Sequence, residues 1–433
     1  MPATADTAGI SRAPTVLCPP EVLVLKSATI AAVLLLVAAA CGDTGSTGDT
    51  LSTEPAADSA PTTSSITDTT TGDSTSSPPA AGSGIADGWT VTRVGTGIKP
   101  VLALDASDQP AIAWLVEEVN EGFVSYAAAA EEWTEDRLVE GYFYGPIGLA
   151  FDPAGNPHIA YHDHQDTSFQ DDLGDLAHAV RQGDAWTLDT ATDDGHDGWD
   201  STIAIGSDGV VRAAGIDPQQ FSRDDGVEYY ELGPGGWQVT AIGSGPIEYE
   251  WNVSLAVSDA GVVGLSYFDN NSADLVYAEL GDGSWDLTVV DFGGDVGRFS
   301  SLAFDADSNP HISYYDEDGT VRYATRAGET WSTEDVGELD DVEIAFAGAR
   351  RITAIDIDSS GSPQVVFGDR SVVRHATRTA AGWETTDVFS ASDQPLGQLV
   401  SFALGSDDTP HVATYEGTAA DGSTAEVLYL TTG

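Results

Sequence analysis

The sequence is poor in cysteine and in positive charge. Two cysteines in 433 residues exclude a small scaffold held together by several disulfides. Sixteen Lys and Arg stand against 70 Asp and Glu, which gives a formal charge of −54. Such an excess of carboxylate repels phosphates, so nucleic acid is excluded as a partner. The hydrophobic content of 41% is nevertheless enough for a large folded core.

Long apolar runs are also lacking. The apolar and small residues from Ala28 to Ala40 follow Lys26, but they are too few to span a bilayer as a helix. They end in Val37-Ala38-Ala39-Ala40-Cys41, which resembles the lipobox of bacterial lipoprotein signals, with Ala38 where that pattern usually has Leu. The alternative is an ordinary secretory signal.

The lipobox resemblance implies a cellular address. Residues 1–41 would be the signal region, with translation starting near Val22 and a lipid on Cys41, the first residue of the mature chain. We therefore expect a bacterial cell-envelope protein, anchored through its lipid at the outer membrane or the cell surface. The folded part would then contain no disulfide, since Cys41 is the one cysteine left.

Residues 42–88 predict a disordered linker. Ser, Thr, Gly, Pro and Asp dominate this segment, and no apolar period appears in it. Such a composition cannot bury enough apolar surface to offset the entropy of ordering the chain. The segment is therefore predicted to tether the following domain to the membrane.

Beyond this linker the chain repeats one pattern of four strands. A polar turn of the form D-x-x-G/N-x-P precedes the second strand, a Tyr or His lies in the third, and a Trp after a Gly-rich turn opens the fourth. Two markers each occur seven times, at spacings near 50 residues, which indicates seven units. They are Pro110, Pro157, Val211, Val263, Pro310, Pro363 and Pro410, and Trp89, Trp133, Trp186, Trp237, Trp285, Trp331 and Trp383.

The phase of the two markers predicts a closed ring. The first Trp precedes the first Pro, and the chain stops at Gly433 after a third strand, so a lone fourth strand (Trp89 to Val94) stands at the start. In a β-propeller this strand pairs with the last three and removes the open edges between first and last blades. We predict an all-β fold over residues 89–433, a seven-bladed β-propeller of four-stranded blades closed by its N-terminal strand.

The repeats D-x-x-G-x-P-H-I-A-Y and L-x-Y-A…G-x-W resemble those of bacterial secreted propellers grouped as sialidase-like, or BNR-repeat, proteins. The resemblance covers residues 89–433. The turns before the tryptophans, such as GDGSW (Gly281 to Trp285), lack the leading S-x-D of the Asp-box. The resemblance therefore implies the fold and leaves the activity open.

Residues that recur at one repeat position are explained by the blade. His158, His311 and His411 all follow the turn, while His178 and His375 occupy the aromatic position of the third strand. Carboxylates also recur at the end of the second strand, where Asp commonly accepts backbone N–H groups. They are Asp163, Asp217, Asp269, Asp316, Asp369 and Glu416.

The residues left over lie mainly in loops that leave one face of the ring. Aromatic rings beside charged groups suit sugars, because a pyranose stacks on a ring while its hydroxyls bond charged partners. The alternative is that these rings fill the gaps between blades. The candidates for ligand binding are Tyr142, Tyr144, Trp199, Tyr249, Trp251, Phe299, Arg298, Arg350 and Arg351.

Two acidic loops, DHQDTSFQDD (Asp163 to Asp172) and DDGHDGWD (Asp193 to Asp200), indicate a metal site, although neither has the spacing of an EF-hand. Asp-rich loops supply the oxygen ligands that Ca²⁺ requires, whereas two histidines and a carboxylate would suit Zn²⁺. The candidate ligands are His164, His196, Asp163 and Asp197. Solvated acidic loops are the alternative.

Two functions follow from these observations. The first is a surface-tethered, non-catalytic binding or scaffolding propeller with a glycan or protein ligand, because no G-x-S-x-G, H-E-x-x-H or catalytic cysteine is found in the mature chain. The second is a sialidase-like glycoside hydrolase or a polysaccharide lyase. For a hydrolase, Arg298, Arg350 and Arg351 would bind a carboxylate, and Tyr249 with Glu248 or Glu250 would form the catalytic pair.

Overall fold

A computed structural model describes the chain in twelve segments. These are residues 84–117, 122–129, 133–143, 145–164, 174–191, 198–217, 226–243, 253–339, 352–391, 396–397, 399–417 and 425–433. Every regular element in these segments is a β-strand. No helix among them is long and apolar enough to cross a membrane.

The strands are numbered in chain order. The first fourteen are β1 (Gly84–Ile85), β2 (Trp89–Thr96), β3 (Ile98–Leu104), β4 (Pro110–Glu117), β5 (Gly122–Ala129), β6 (Trp133–Phe143), β7 (Gly148–Phe151), β8 (Pro157–His164), β9 (Asp175–Gln182), β10 (Ala185–Thr190), β11 (Trp199–Ile205), β12 (Val211–Asp217), β13 (Gly226–Gly233) and β14 (Gly236–Ala241). The remaining fifteen are β15 (Ser254–Val257), β16 (Val263–Asp269), β17 (Asp274–Leu280), β18 (Trp285–Asp291), β19 (Val296–Phe304), β20 (Pro310–Asp316), β21 (Thr320–Ala327), β22 (Thr330–Glu338), β23 (Thr353–Ile357), β24 (Pro363–Gly368), β25 (Val372–Thr379), β26 (Gly382–Ser390), β27 (Ser401–Leu404), β28 (Pro410–Glu416) and β29 (Glu426–Thr432).

These strands form seven antiparallel blades, as the repeat predicts. Blades 1 to 6 are β3–β6, β7–β10, β11–β14, β15–β18, β19–β22 and β23–β26, and blade 7 consists of β27–β29 together with β2. The first strand of each blade contacts the first strand of the next, and β27 contacts β3, so the ring is closed. The fold is a seven-bladed β-propeller.

The closing strand pairs as predicted. β2 lies antiparallel to β29, with Trp89 opposite Thr432 and Thr96 opposite Glu426. β1 adds a short fifth strand outside blade 6, where Ile85 pairs with Phe389. The chain therefore contacts blade 6 before it completes blade 7.

The polar turns between first and second strands share one geometry. In each turn, the backbone N–H of the fourth residue donates to the carbonyl of the first residue, as from Gly155 to Asp152 and from Ser308 to Asp305. This fourth residue has a positive φ in all seven blades, which favours Gly, Asp and Ser over branched side chains. The G/N position of the motif holds Gly in four blades, Asp in two and Ser in one, in keeping with this backbone requirement.

An aromatic pair lies at every seam, the gap between two adjacent blades. The Trp that opens the fourth strand of one blade packs edge-on or tilted against the Tyr or His in the third strand of the preceding blade, with ring centroids 5.0 to 5.8 Å apart. Such pairs contribute about 0.5–1.5 kcal/mol each beyond their buried area. The pairs are Trp89–His375, Trp133–Tyr429, Trp186–Tyr126, Trp237–His178, Trp285–Tyr229, Trp331–Tyr277 and Trp383–Tyr323.

Near the axis, four successive seams are joined by hydrogen bonds from a backbone N–H of one blade to a side chain of its neighbour. The amide groups of Leu302, Ile355 and Leu102 donate to the hydroxyls of Ser254, Ser301 and Ser401. At the seam between blades 6 and 7, Leu404 donates to the Asp356 carboxylate at 2.8 Å. These bonds satisfy inner-edge N–H groups that have no strand beside them.

Removal of β2 tests the closure. We predict that a chain lacking residues 1–96 unfolds at a clearly lower temperature than the full chain, because β29 loses its outer partner and the core residues that pack against Trp89, Val91 and Val94 become exposed. Val94 is buried and Trp89 and Val91 are half-buried, so the loss of their contacts costs roughly 2–4 kcal/mol. Calorimetry measures the difference, and a chain lacking only residues 1–83 is the control. Equal melting of the two shortened chains would contradict closure by β2.

The buried histidines make the stability depend on pH. Burial lowers the pKa of His375 to about 4. Burial and the neighbouring His178 ring lower the pKa of His158 to about 4. The pKa values of His311 and His411 are also lowered by burial. The unfolded chain takes up these protons near pH 6.5, so the stabilisation is complete above that pH and is lost as the pH falls towards 4.

We predict that His375→Phe weakens this pH dependence. Protonation of His375 should lower the free energy of unfolding of the native protein by about 2–3 kcal/mol between pH 7.5 and 4.5. The phenylalanine of the variant takes up no proton and removes this contribution. Urea unfolding at a series of pH values measures the slope. Phe402→Leu is the matched control, because Phe402 contacts the same ring at a centroid distance of 5.8 Å and has no titrating group. A slope for His375→Phe equal to that of the native protein would contradict the assignment.

Candidate functional site

Most of the loop residues predicted to bind a ligand lie outside the described segments. This holds for Tyr144, Tyr249, Trp251, Arg350 and Arg351. Tyr142 is placed by its backbone alone, at the end of β6 opposite His164. The prediction for these residues therefore stays a prediction.

The three described candidates pack within the propeller. Phe299 is 2% exposed and lies in an apolar cluster with Phe268, Tyr315 and Ile352. Arg298 bonds the Asp295 carboxylate, with 2.6 Å between its Nε and Oδ1, and its guanidinium lies over the Phe268 ring. These contacts correspond to the packing alternative.

Trp199 likewise contacts its own and a neighbouring blade. It is partly buried against the core shared by blades 3 and 4, and its ring lies 4.9 Å from the ring of His162 in blade 2. Such a position matches the packing alternative for this residue as well.

Of the four predicted metal ligands, only Asp163 has a described side chain. Asp163 is half-buried in β8 opposite Asp175, whereas His196 and Asp197 lie outside the described segments and His164 is placed by its backbone alone. Among the described residues no group of three or more His, Cys, Asp or Glu side chains is arranged to hold a metal ion. The calcium prediction therefore rests on the sequence of the two loops.

Three of the recurring carboxylates at the end of the second strands cap turns, as their repeat position predicts. Asp316 accepts the N–H groups of Asp318 and Thr320, and Asp369 accepts those of Ser371 and Val372. Asp269 accepts the N–H of Asn271. These carboxylates are structural.

An open cleft lies at the outer part of the seam between blades 3 and 4. It has a volume of about 390 Å³, which is within the range of small-molecule sites. One wall belongs to blade 3 and is polar, and the opposite wall belongs to blade 4 and is apolar. The polar groups of the blade 3 wall are Tyr229, Glu231, Gln238 and Thr240, and Ala241 and Ile242 complete that wall. The apolar wall comprises Leu280, Trp285 and Leu287, with Ser284 at the edge. We call this site the 3/4 cleft.

The turn between the third and fourth strands of blade 4 forms the edge of the 3/4 cleft, through Gly283 and Ser284. In antiparallel blades this turn lies on the face opposite to the loops that were predicted to bind a ligand. The cleft is therefore a site that sequence reasoning missed.

Glu231 is the charged group of the 3/4 cleft. Its Oε2 atom accepts the Tyr229 hydroxyl at 2.8 Å, and 38% of its side chain is exposed. The Nε of Arg212 lies 3.7 Å away, but both terminal nitrogens of this guanidinium bond Asp208, at 3.1 and 2.6 Å. Arg212 holds the pKa of Asp208 at about 2, mainly through these bonds.

The seam between blades 4 and 5 has the same groups but is filled. Tyr277 donates to Glu279 at 2.9 Å and packs on Trp331, as Tyr229 does with Glu231 and Trp285. Here Arg326 extends from blade 5 and bonds Glu279 at 2.5 Å, and its guanidinium lies over both aromatic rings.

Two other seams carry an arginine at the same repeat position, three residues after the aromatic position of the third strand. Arg181 bonds Asp136 at 3.1 Å between blades 1 and 2, and Arg378 bonds Glu334 through two nitrogens between blades 5 and 6. In blade 4 that position is Leu280. Ala129, Leu232 and Thr432 take this position at the remaining three seams. In the 3/4 cleft, Leu280 leaves Glu231 without the seam arginine that Glu279 has in Arg326.

A smaller cleft lies between blades 1 and 2. Its volume is about 250 Å³, and its lining includes Asp105, Tyr126, Asn156 and Arg181. Arg181 already spans this seam to Asp136. This cleft is therefore partly filled by its own seam arginine.

The Tyr–Glu pairs do not provide an activated nucleophile. Burial and the neighbouring carboxylate raise the pKa of Tyr229 and of Tyr277 above the ordinary value of 10. A tyrosine that attacks a sugar needs the opposite shift, because the phenolate is the reactive form. The arrangement at these two seams therefore suits binding better than glycoside cleavage.

Comparison with known proteins gives no family. No family model matches the chain, and no curated protein matches it. Similar solved structures include a protein of unknown function from Dyadobacter fermentans, with 11% identity, 82% of this chain and 100% of that chain covered, and a TM-score of 0.46.

Two further solved structures have names that mention function. One is the α-L-arabinofuranosidase Arb93A from Fusarium graminearum, with 14% identity, 67% and 92% coverage of this chain and that one, and a TM-score of 0.45. The other is a mutant of the Aleuria aurantia lectin in complex with Fucα1-6GlcNAc, with 12% identity, 68% and 97% coverage, and a TM-score of 0.44. Likenesses this distant leave the function of this chain open.

Proposed function

We propose that this protein is a non-catalytic carbohydrate-binding propeller and that the 3/4 cleft is its saccharide site. The domain would be held at the bacterial cell surface by a lipid on Cys41 and by the linker of residues 42–88. The anchor is supported by the lipobox-like sequence before Cys41. The binding role is supported by the geometry of the cleft.

The opposed walls of the 3/4 cleft are the observation that carries the proposal. A pyranose has an apolar face of C–H groups and a rim of hydroxyls, so it fits between an apolar wall and a polar one. Trp285 and Leu287 would cover the apolar face. Glu231, Gln238 and Thr240 would bond the hydroxyls, the carboxylate forming the stronger, charge-assisted bonds.

The apolar wall is exposed in a way that packing alone does not require. Leu287 is 48% exposed on the outer strand of blade 4, and so is Val289, two residues further along β18. Alternation in a strand places both side chains on the same side as Trp285, towards blade 3. A bound saccharide would cover this surface.

Leu280→Arg tests the proposal. We predict that the new guanidinium bonds Glu231 as Arg326 bonds Glu279, fills the 3/4 cleft and weakens saccharide binding at least tenfold. An array of neutral and amino saccharides, read with the labelled native chain and the variant, measures the change.

The control is Leu280→Met, which conserves volume and leaves the cleft open. Binding of the native chain that survives Leu280→Arg undiminished would place the saccharide elsewhere. An array on which the native chain binds no saccharide would contradict the proposed function itself.

A further inference from the structure

We infer that the 3/4 cleft selects saccharides that carry a free, protonated amine, with Glu231 as the group that recognises the amine. This inference rests on the proposed function and adds the chemical class of the ligand. The seam between blades 4 and 5 of the same propeller has the same groups and holds a cation.

The filled seam between blades 4 and 5 shows what this site geometry holds. The two seams share a Tyr that donates to a Glu and a Trp edge-on to that Tyr, with centroid distances of 5.0 and 5.3 Å. In the filled seam, the space bounded by these three groups contains the guanidinium of Arg326. It lies 2.5 Å from Glu279, 5.3 Å from the Tyr277 centroid and 5.9 Å from the Trp331 centroid. The chain therefore places a cation of its own in the equivalent space.

The interactions of that cation are of a general kind. A carboxylate provides a charge-assisted hydrogen bond, and the faces of Tyr and Trp attract a cation through their quadrupoles. Glu231, Tyr229 and Trp285 offer the same three partners in the 3/4 cleft, where Leu280 supplies no cation.

The charge balance around Glu231 also favours a cation. Among the described residues, Arg212 is the cation paired with Glu231, and both of its terminal nitrogens bond Asp208. Asp208, Arg212 and Glu231 therefore carry a net charge of about −1 together. The charge of −54 on the chain as a whole raises the local concentration of cationic ligands further.

An ammonium on a sugar meets both requirements of the cleft. The amine would occupy the position that corresponds to the Arg326 guanidinium, while the ring would lie between Leu287 and the amides and hydroxyls of the blade 3 wall. An N-acetylated sugar has no charge to place beside Glu231, and an acidic sugar would be repelled by it.

Calorimetric titration of the full chain at pH 6 tests the inference, with a tetramer of glucosamine and the tetramer of N-acetylglucosamine as probes. We expect the free-amine tetramer to bind at least tenfold more tightly, and the difference to shrink as salt is added. Glu231→Gln should reduce the preference to less than twofold without abolishing binding of the acetylated tetramer.

Glu279→Gln is the matched control, because the Glu279 carboxylate is bonded by Arg326 and should not affect the preference. Equal affinity for the two tetramers would overturn the inference and leave the proposed function standing. A preference that Glu231→Gln does not change would also overturn it.

Arginine amide is a third probe in the same titrations. If it binds in a Glu231-dependent way and neither tetramer binds, the cation site stands and the saccharide function fails. The partner would then be a basic peptide. If none of the three probes binds, the inference is overturned, and the saccharide array alone decides the proposed function.

Discussion

The propeller depends on how the seams between its blades are filled. Blades that radiate from an axis separate towards the rim, so each seam is a wedge that needs large groups on its outer side. A Trp from one blade and a Tyr or His from the preceding blade fill the middle of every seam, with centroids 5.0 to 5.8 Å apart. Because the same pair recurs at every seam, blades of different sequence stack at similar spacing.

The outermost part of the wedge is where the seams differ. Three seams are spanned by an arginine that bonds a carboxylate of the preceding blade, namely Arg181, Arg326 and Arg378. Leu280 takes that place between blades 3 and 4, beside a cleft of about 390 Å³. An arginine at this repeat position thus adds an ion pair across three seams, and the seam between blades 3 and 4 lacks that ion pair. Such a change costs little, since a partly exposed ion pair contributes roughly 1 kcal/mol or less.

The fold was predictable from the sequence because its markers lie within single blades. Seven prolines or valines and seven tryptophans recur at regular spacing, and the early Trp89 requires a partner at the end of the chain, which β29 provides. The 3/4 cleft was not predictable in this way, because it joins Glu231 and Trp285 from different blades. The sequence does show that Leu280 occupies the repeat position at which other blades have Arg326 and Arg378. Only the structure shows that this position faces a carboxylate of the preceding blade. Sequence reasoning places the ligand on the opposite face, where the loops between the second and third strands and between blades emerge.

Fluorine NMR of the chain labelled with 5-fluorotryptophan tests the open seam most directly. The resonances of Trp285 and Trp331 are assigned with Trp285→Phe and Trp331→Phe, and the glucosamine tetramer is then titrated. If the 3/4 cleft is the binding site, the Trp285 resonance shifts to saturation while that of Trp331 stays in place. A saturating shift at Trp331 with Trp285 unmoved, or ligand binding that moves neither resonance, would contradict it.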